Sequence, residues 1–273
     1  ILDRSIFSNN ADIISNFIKD FYGGTAFIPK TIYVPEVMDI QLLENWLSSK
    51  KGSKVSIKIP QKGEKKKILD LVESNAKNTL EQFKLKLKVD KELYSNTLKE
   101  LQNILELEEI PNRIEAYDIS NIQGVDSVGS MIVFDKGKPK NSDYRRFKIK
   151  TVKGANDYDS MREILTRRFT HGLEEIKEIQ KRNLLLSGAK FSVFPDLILM
   201  DGGKGQVNIA LEVLEKLNIN IPVCGMVKDD KHKTRGLVYN NKEINIKSNN
   251  KIMQFITRVQ DEVHRFAITY HRS

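Results

Sequence analysis

The run Pro195-Asp196-Leu197-Ile198-Leu199-Met200-Asp201-Gly202-Gly203-Lys204-Gly205-Gln206 reads as a buried strand that ends on a carboxylate and opens into a glycine turn. Four consecutive apolar residues suit a strand covered on both faces. The segment after the glycines, 205–217, spaces Ile209, Leu211, Val213, Leu214 and Leu217 as the inward side of a helix. Strand, tight turn and helix make an α/β unit, and Asp201 sits at the carboxyl end of its strand, where such sheets place ligands and catalytic groups. Gly202 and Gly203 let the backbone turn tightly beside a phosphate, and Lys204 could hold one. The string does not satisfy Gly-x-x-x-x-Gly-Lys-Ser/Thr, so nucleotide hydrolysis finds no support in it.

Working outward, Arg113-Ile114-Glu115-Ala116-Tyr117-Asp118-Ile119-Ser120 alternates like a half-buried strand and delivers a second acid, Asp118, just before a turn at Asn121-Ile122-Gln123-Gly124. Strands at 129–134 and 144–150, joined by a turn at 135–139, complete an antiparallel meander. A helix begins at about Asp157 and a charged helical stretch continues toward 186. After the strand and helix around Asp201 come a strand at 222–227, a polar hairpin or loop at 228–247 and a helix at 250–270 that carries Asp261, Glu262 and His264. Three antiparallel strands, helix, strand, helix, strand, helix is the order of an RNase H-like α/β fold, a mixed sheet flanked by helices. In that sheet the first and fourth strands are neighbours, which would bring Asp118 and Asp201 together across 83 positions.

Residues 1–63 read differently, as helix, strand, helix, strand: a smaller parallel α/β unit. Residues 64–110 read as a long helical connector, with Ile68, Val72, Ala76, Leu80, Phe83 and Leu87 forming one apolar stripe that packs on or spans two domains. It stops at Ile110-Pro111. Residues 111–273 form the RNase H-like domain. The chain begins at Ile1 rather than methionine, which suggests a piece of something longer.

Charge follows this division. Residues 1–110 hold 17 Lys+Arg against 16 Asp+Glu, whereas residues 111–273 hold 28 against 20, so nearly all of the +9 excess lies in the second part. A basic domain that still gathers acids at strand ends matches the needs of a nuclease: cations for phosphates, carboxylates for a metal. Cys224, the one cysteine, lies in an apolar run and reads as a buried core thiol, which leaves no disulfide framework or cysteine zinc site and fits a reducing cytoplasmic setting. No stretch of about 18 apolar residues spans a membrane.

Five ordered motifs carry a family resemblance: Tyr117-Asp118-Ile119-Ser120-Asn121-Ile122-Gln123-Gly124, Ser142-Asp143-Tyr144-Arg145-Arg146-Phe147, Asp157-Tyr158 with Met161-Arg162-Glu163, Asp201-Gly202-Gly203-Lys204-Gly205-Gln206, and Asp261-Glu262-Val263-His264-Arg265-Phe266-Ala267. Together they resemble the C-terminal endonuclease domain of UvrC, the incision subunit of bacterial nucleotide excision repair. The resemblance implies catalytic acids at Asp118 and Asp201, a metal-associated histidine at His264 and a further important acid at Asp157. It implies a 5′ incision beside a lesion in damaged double-stranded DNA, UvrB as partner, and Mg²⁺ or Mn²⁺ with no other small-molecule cofactor. The first 110 residues resemble the region that precedes that domain. One departure is the charged stretch 170–194, longer than the family's usual spacing and expected to protrude from the surface.

The residue chemistry agrees with this reading. Phosphodiester hydrolysis needs an activated water, a polarised phosphorus and a stabilised leaving oxygen, which divalent ions about 3.5 to 4 Å apart supply. Asp118, Asp201 and His264 offer oxygen and imidazole ligands for them, whereas Asp157 suits either a helix cap or a third metal ligand. Glu262, two positions from His264, points away from it on a helix. On the third strand, Arg146, Lys148 and Lys150 share one face, with Arg145 beside them; they could track a DNA backbone or form a solvated face. Arg265 is a further phosphate candidate. The alternative class is a non-catalytic RNase H-like nucleic-acid-binding scaffold.

Overall fold

A computed structural model describes residues 9–120, 128–152, 156–182, 191–228 and 234–268. The turn expected at 121–124, part of the charged stretch 170–194 and the last residues of the final helix lie outside them. The elements run α1 (Asn10–Gly23), β1 (Thr31–Tyr33), α2 (Ile40–Lys51), β2 (Ser56–Lys58), α3 (Glu64–Leu105), β3 (Arg113–Ser120), β4 (Val128–Asp135), β5 (Lys138–Pro139), a 3-10 turn (Asn141–Asp143), β6 (Arg145–Lys148), α4 (Asp157–Arg182), β7 (Leu197–Met200), α5 (Lys204–Lys216), β8 (Val223–Lys228), β9 (Thr234–Tyr239), β10 (Lys242–Asn245) and α6 (Asn250–Ile268). They form two compact units, residues 1–88 and 89–273.

In the first unit β1 and β2 pair in parallel, as the α-β-α-β order requires. Asn9 caps α1 by accepting the Asp12 N–H, and Gly52, at φ +73°, ends α2 with its own N–H on the Ser48 carbonyl. Leu43 and Leu47 of α2, Ile18 of α1, and Val55 and Ile57 around β2 are buried together.

The expected stripe on α3 does not become a packed face: Ile68, Val72, Leu80, Phe83 and Leu87 are all exposed. Burial starts only at Thr97, with Leu98, Leu101 and Leu105 entering the core of the second unit. Periodicity marks a helix face that could be covered, but what covers it is a tertiary matter.

The second unit is built on an eight-stranded mixed sheet in the order β10-β9-β8-β7-β3-β4-β5, with β6 also paired to β4. The meander β3-β4-β6 is antiparallel, and β7 pairs in parallel with both β3 and β8. The polar 228–247 region supplies the hairpin β9–β10, which extends the sheet through β8. Its turn residues Asn240 and Asn241 both have positive φ, 48° and 61°, the geometry of a two-residue hairpin that matches the sheet's twist.

Strand alternation then sorts side chains to two covered faces. Glu115 of β3 points to the α4 face, where Arg168 meets it at 2.7 Å, and Asp118 points to the α6 face, where His264 lies. The same holds for β4, where Gly129 leaves room for Ile164 of α4 while Phe134 packs edge-on against Phe255 of α6. On α5 the inward positions are Val207, Ala210, Val213 and Leu214; Leu211, expected inward, is 44% exposed. Cys224 is fully buried, and burial pushes its thiol up to about 12.

Candidate metal centre

Register brings the two acids together. Tyr117 of β3 is paired with Met200 of β7, so the next residue on each parallel strand, Asp118 and Asp201, stands at the same level of the sheet. The Asp201 N–H donates to the Tyr117 carbonyl at 3.0 Å and fixes the acid just as the strand ends. From the α6 side, His264 Nδ1 lies 3.2 Å from Asp118 Oδ2 and 3.9 Å from Asp201 Oδ2. One ligand atom from each of the three falls within 4.8 Å of the others.

That spacing suits a divalent ion. Ligands about 2.0 to 2.3 Å from one ion can be no more than about 4.6 Å apart, and the separations of His264 Nδ1 from the two carboxylates, 3.2 and 3.9 Å, fall inside that reach. Two carboxylates and an imidazole are the donor set of Mg²⁺-like and first-row divalent cations. A further polar group waits beside them: Ser130 is paired with Asp118 in register, and its fully buried Oγ has no hydrogen-bond partner among the described residues. Paired residues face the same side of a sheet, so Ser130 shares the face on which Asp118 meets His264.

Electrostatics mark the same place. Burial raises the Asp118 carboxyl from its ordinary 3.8 to about 6, with the neighbouring Asp201 charge adding to the rise and His264 and Lys228 opposing it. Two residues absent from the sequence reading hold Asp201. Lys228 Nζ donates to Asp201 Oδ2 at 3.0 Å, and Gln260 Nε2 donates to Oδ1 at 2.6 Å. Signals for both were available: Lys228 ends β8, the parallel neighbour of β7, and Gln260 precedes His264 by one helical turn. Ser130 had no such signal, because only the register reveals it.

Asp157 is not in this cluster. It is the exposed first residue of α4, and the cap belongs to Asn156, whose side-chain oxygen accepts the Asp159 N–H at 3.1 Å. Its neighbour Tyr158 lies against Gly205, so α4 starts beside the turn that follows Asp201; a Cβ at Gly205 would fall 2.6 Å from the Tyr158 hydroxyl. Glu262 also stays out of the cluster, held by Tyr144 at 3.0 Å and by Arg265 at 2.7 and 2.8 Å.

The basic residues divide by their engagements. Arg146, Lys148 and Lys150 are exposed on one side of the β6 region while Phe147 and Ile149 are buried. The Arg146 guanidinium lies 4.0 Å over the Phe266 ring and donates to the Phe266 carbonyl at 2.8 Å, two residues from His264. Arg145 is turned onto the carbonyls of Ser142 and Tyr144. Arg265 is taken by Glu262, and Lys204 is exposed at the first position of α5. On the opposite face Glu115, fully buried, accepts from Arg168 and from the Tyr117 hydroxyl, a charged network that the alternating pattern concealed.

A mixed sheet with helices on both faces and strand-end aspartates on its central strands places the second unit in the RNase H-like class of domains. The chain belongs to the UvrC family: residues 102–268 match the UvrC RNase H endonuclease domain, and residues 2–83 match the UvrC ribonuclease H-like domain. UvrABC system protein C of Clostridium novyi (strain NT) is 99% identical over all 273 residues, and that of Clostridium acetobutylicum is 71% identical over the same length. The chain spans 44% of the length of each. Human endonuclease V is similar in fold at 8% identity, over 66% of this chain and 99% of its own, with a TM-score of 0.30, too loose a superposition to bear on the site. Among the described residues no helix is long and apolar enough to cross a membrane.

Proposed function

We propose that the 89–273 unit is a divalent-metal-dependent endonuclease that cuts the damaged strand on the 5′ side of a lesion during nucleotide excision repair. The observation that carries this reading is the convergence of Asp118, Asp201 and His264, from three separate elements, within 4.8 Å. Mg²⁺ or Mn²⁺ held by Asp118, Asp201 and His264 would supply the activated water and the charge stabilisation that phosphodiester hydrolysis requires.

The chain's own groups supply the rest. Asp118 and Asp201 provide fixed negative charge at the end of the central strands, and burial keeps bulk water from screening it. Lys228 neutralises Asp201 and is close enough to meet a phosphate entering the site. Arg146, spread over Phe266, offers a guanidinium for the adjacent phosphate, and Lys148, Lys150 and Lys204 extend the positive path. Arg145 and Arg265 lie along the same path but are held by protein carbonyls and by Glu262 respectively. Asp157, at the start of α4, would contribute through the Tyr158–Gly205 approach rather than from within the three-ligand cluster. The substrate is damaged double-stranded DNA and the partner that delivers it is UvrB, as membership of the UvrC family suggests.

The test is incision mapping. A lesion-bearing duplex labelled at its 5′ end, loaded with UvrB, is incubated with a UvrC protein carrying this domain in Mg²⁺ or Mn²⁺, with and without chelator. A chelator-sensitive product whose length places the cut 5′ of the lesion is expected. Cleavage that survives both chelator and Asp118→Asn would defeat the assignment.

A further inference from the structure

Asp201 has two oxygens, and the protein treats them differently. Oδ1 accepts from Gln260 Nε2 at 2.6 Å. Oδ2 faces Lys228 Nζ at 3.0 Å and His264 Nδ1 at 3.9 Å. Gln260 is itself fixed from behind: its Oε1 accepts from the Thr234 hydroxyl. Both residues are 6% exposed, so neither has bulk water as an alternative partner.

The orientation of the amide follows from the donor inventory. An ionised carboxylate only accepts, so the NH₂ of Gln260 must face Asp201 and its carbonyl must face away. Thr234 satisfies that carbonyl, and a flip of the amide would set two acceptors against each other at Oδ1 and force the Thr234 hydroxyl to turn from donor to acceptor behind it. The chain Thr234–Gln260–Asp201 runs from β9 through α6 to the end of β7, within one unit of the fold.

We infer that Gln260, locked by Thr234, is a positioning residue that reserves Asp201 Oδ1 for a protein hydrogen bond and leaves Oδ2 as the single oxygen Asp201 turns toward a metal ion. Gln260 touches neither ion nor DNA. It acts by holding the carboxylate plane so that Oδ2 shares a side with Asp118 Oδ2 and His264 Nδ1. Outer partners of this kind set ligand orientation, and their loss lowers metal affinity about 10- to 100-fold. The inference rests on the metal-dependent reading above and adds two residues and a binding mode to it.

The experiment is a calorimetric titration of the whole 273-residue chain with Mn²⁺ alone, paired with thermal melting without metal, for wild type, Gln260→Leu and Thr234→Val. Gln260→Leu should bind Mn²⁺ about 10- to 100-fold more weakly. Thr234→Val, which frees the amide to rotate but keeps it, should move affinity in the same direction by less. If Gln260→Leu fails to fold, Thr234→Val decides alone. A wild type that binds Mn²⁺ alongside folded variants of unchanged affinity overturns the positioning role and leaves the metal site standing. A wild type that takes up no Mn²⁺ overturns both.

Discussion

His264 Nδ1 and Asp118 Oδ2 stand 3.2 Å apart although 146 positions separate them in sequence. The first lies on α6 and the second near the end of β3, so the pair forms only when that helix covers that face of the sheet. It ties the candidate metal centre to the integrity of the whole second unit.

Removing one charge from the centre separates chemistry from binding. Asp201→Asn keeps the side-chain volume and can still receive Lys228, so the fold should persist. DNA affinity, set mainly by phosphate contacts, should stay within about twofold in filter binding. Metal-dependent cutting should fall by more than about 100-fold, beyond the range of changes to outer-shell partners. An unchanged cutting rate would remove Asp201 from the chemistry.

Proton and metal should compete at Asp118. Its carboxyl titrates at about 6 in the folded chain against an ordinary 3.8, so the folded state holds this proton more tightly than the unfolded state does. The stability it contributes is fully present below 3.8 and is lost as pH rises through about 6. Metal-free melting temperature should therefore fall across that window relative to Asp118→Asn, in which the step vanishes. Mn²⁺ affinity should rise over the same window, because binding requires the deprotonated acid. Parallel melting curves for the two proteins would contradict the raised value.

Glu115 and Arg168 are both fully buried, and each is the other's charge partner. Glu115→Leu removes the carboxylate that balances the Arg168 charge, lies 3.5 Å from Arg113 and accepts from the Tyr117 hydroxyl, and it leaves Arg168 only the Phe191 and Val193 carbonyls, at a cost of about 3–5 kcal/mol. Chemical denaturation followed by circular dichroism would measure it; the lone tryptophan, Trp46, lies in the other unit and reports on that one. A cost below about 1 kcal/mol would mean the pair is more hydrated than its burial implies.

Gly225 has no room for a side chain, since a Cβ there would fall 2.5 Å from the Gly202 carbonyl oxygen and 2.9 Å from Val207 Cγ2. Gly225→Ala must therefore push the turn that follows Asp201, costing about 1–3 kcal/mol by overpacking and weakening Mn²⁺ binding. Gly203→Ala is the control, because among the described residues nothing lies within 4 Å of its Cβ position and its φ is −84°. Equal effects at the two positions in melting and Mn²⁺ titration would show that the close approach is not what matters.

Much of this molecule could be read before any coordinates. The apolar run 197–200 and the alternating run 113–120 are recognisable because burial on two faces or one imposes its own period on the residues. Asp118 and Asp201 were legible as strand-end acids, and their meeting followed from the adjacency of the first and fourth strands. The double-asparagine turn at 240–241 escaped notice, since its signal is two φ angles rather than a hydrophobic pattern. The exposed stripe on α3 misled because periodicity records a face without recording its cover.

Sequence alone thus determined the element order, the two strand-end aspartates and the helix histidine, since each is a local property of residue type and spacing. Only tertiary structure decided that Lys228 and Gln260 divide the oxygens of Asp201, that Ser130 lies opposite Asp118, and that Glu115 is buried against Arg168. Those relations depend on strand register and helix placement, where a shift of one residue sends every side chain to the other face. No residue's own chemistry carries that information.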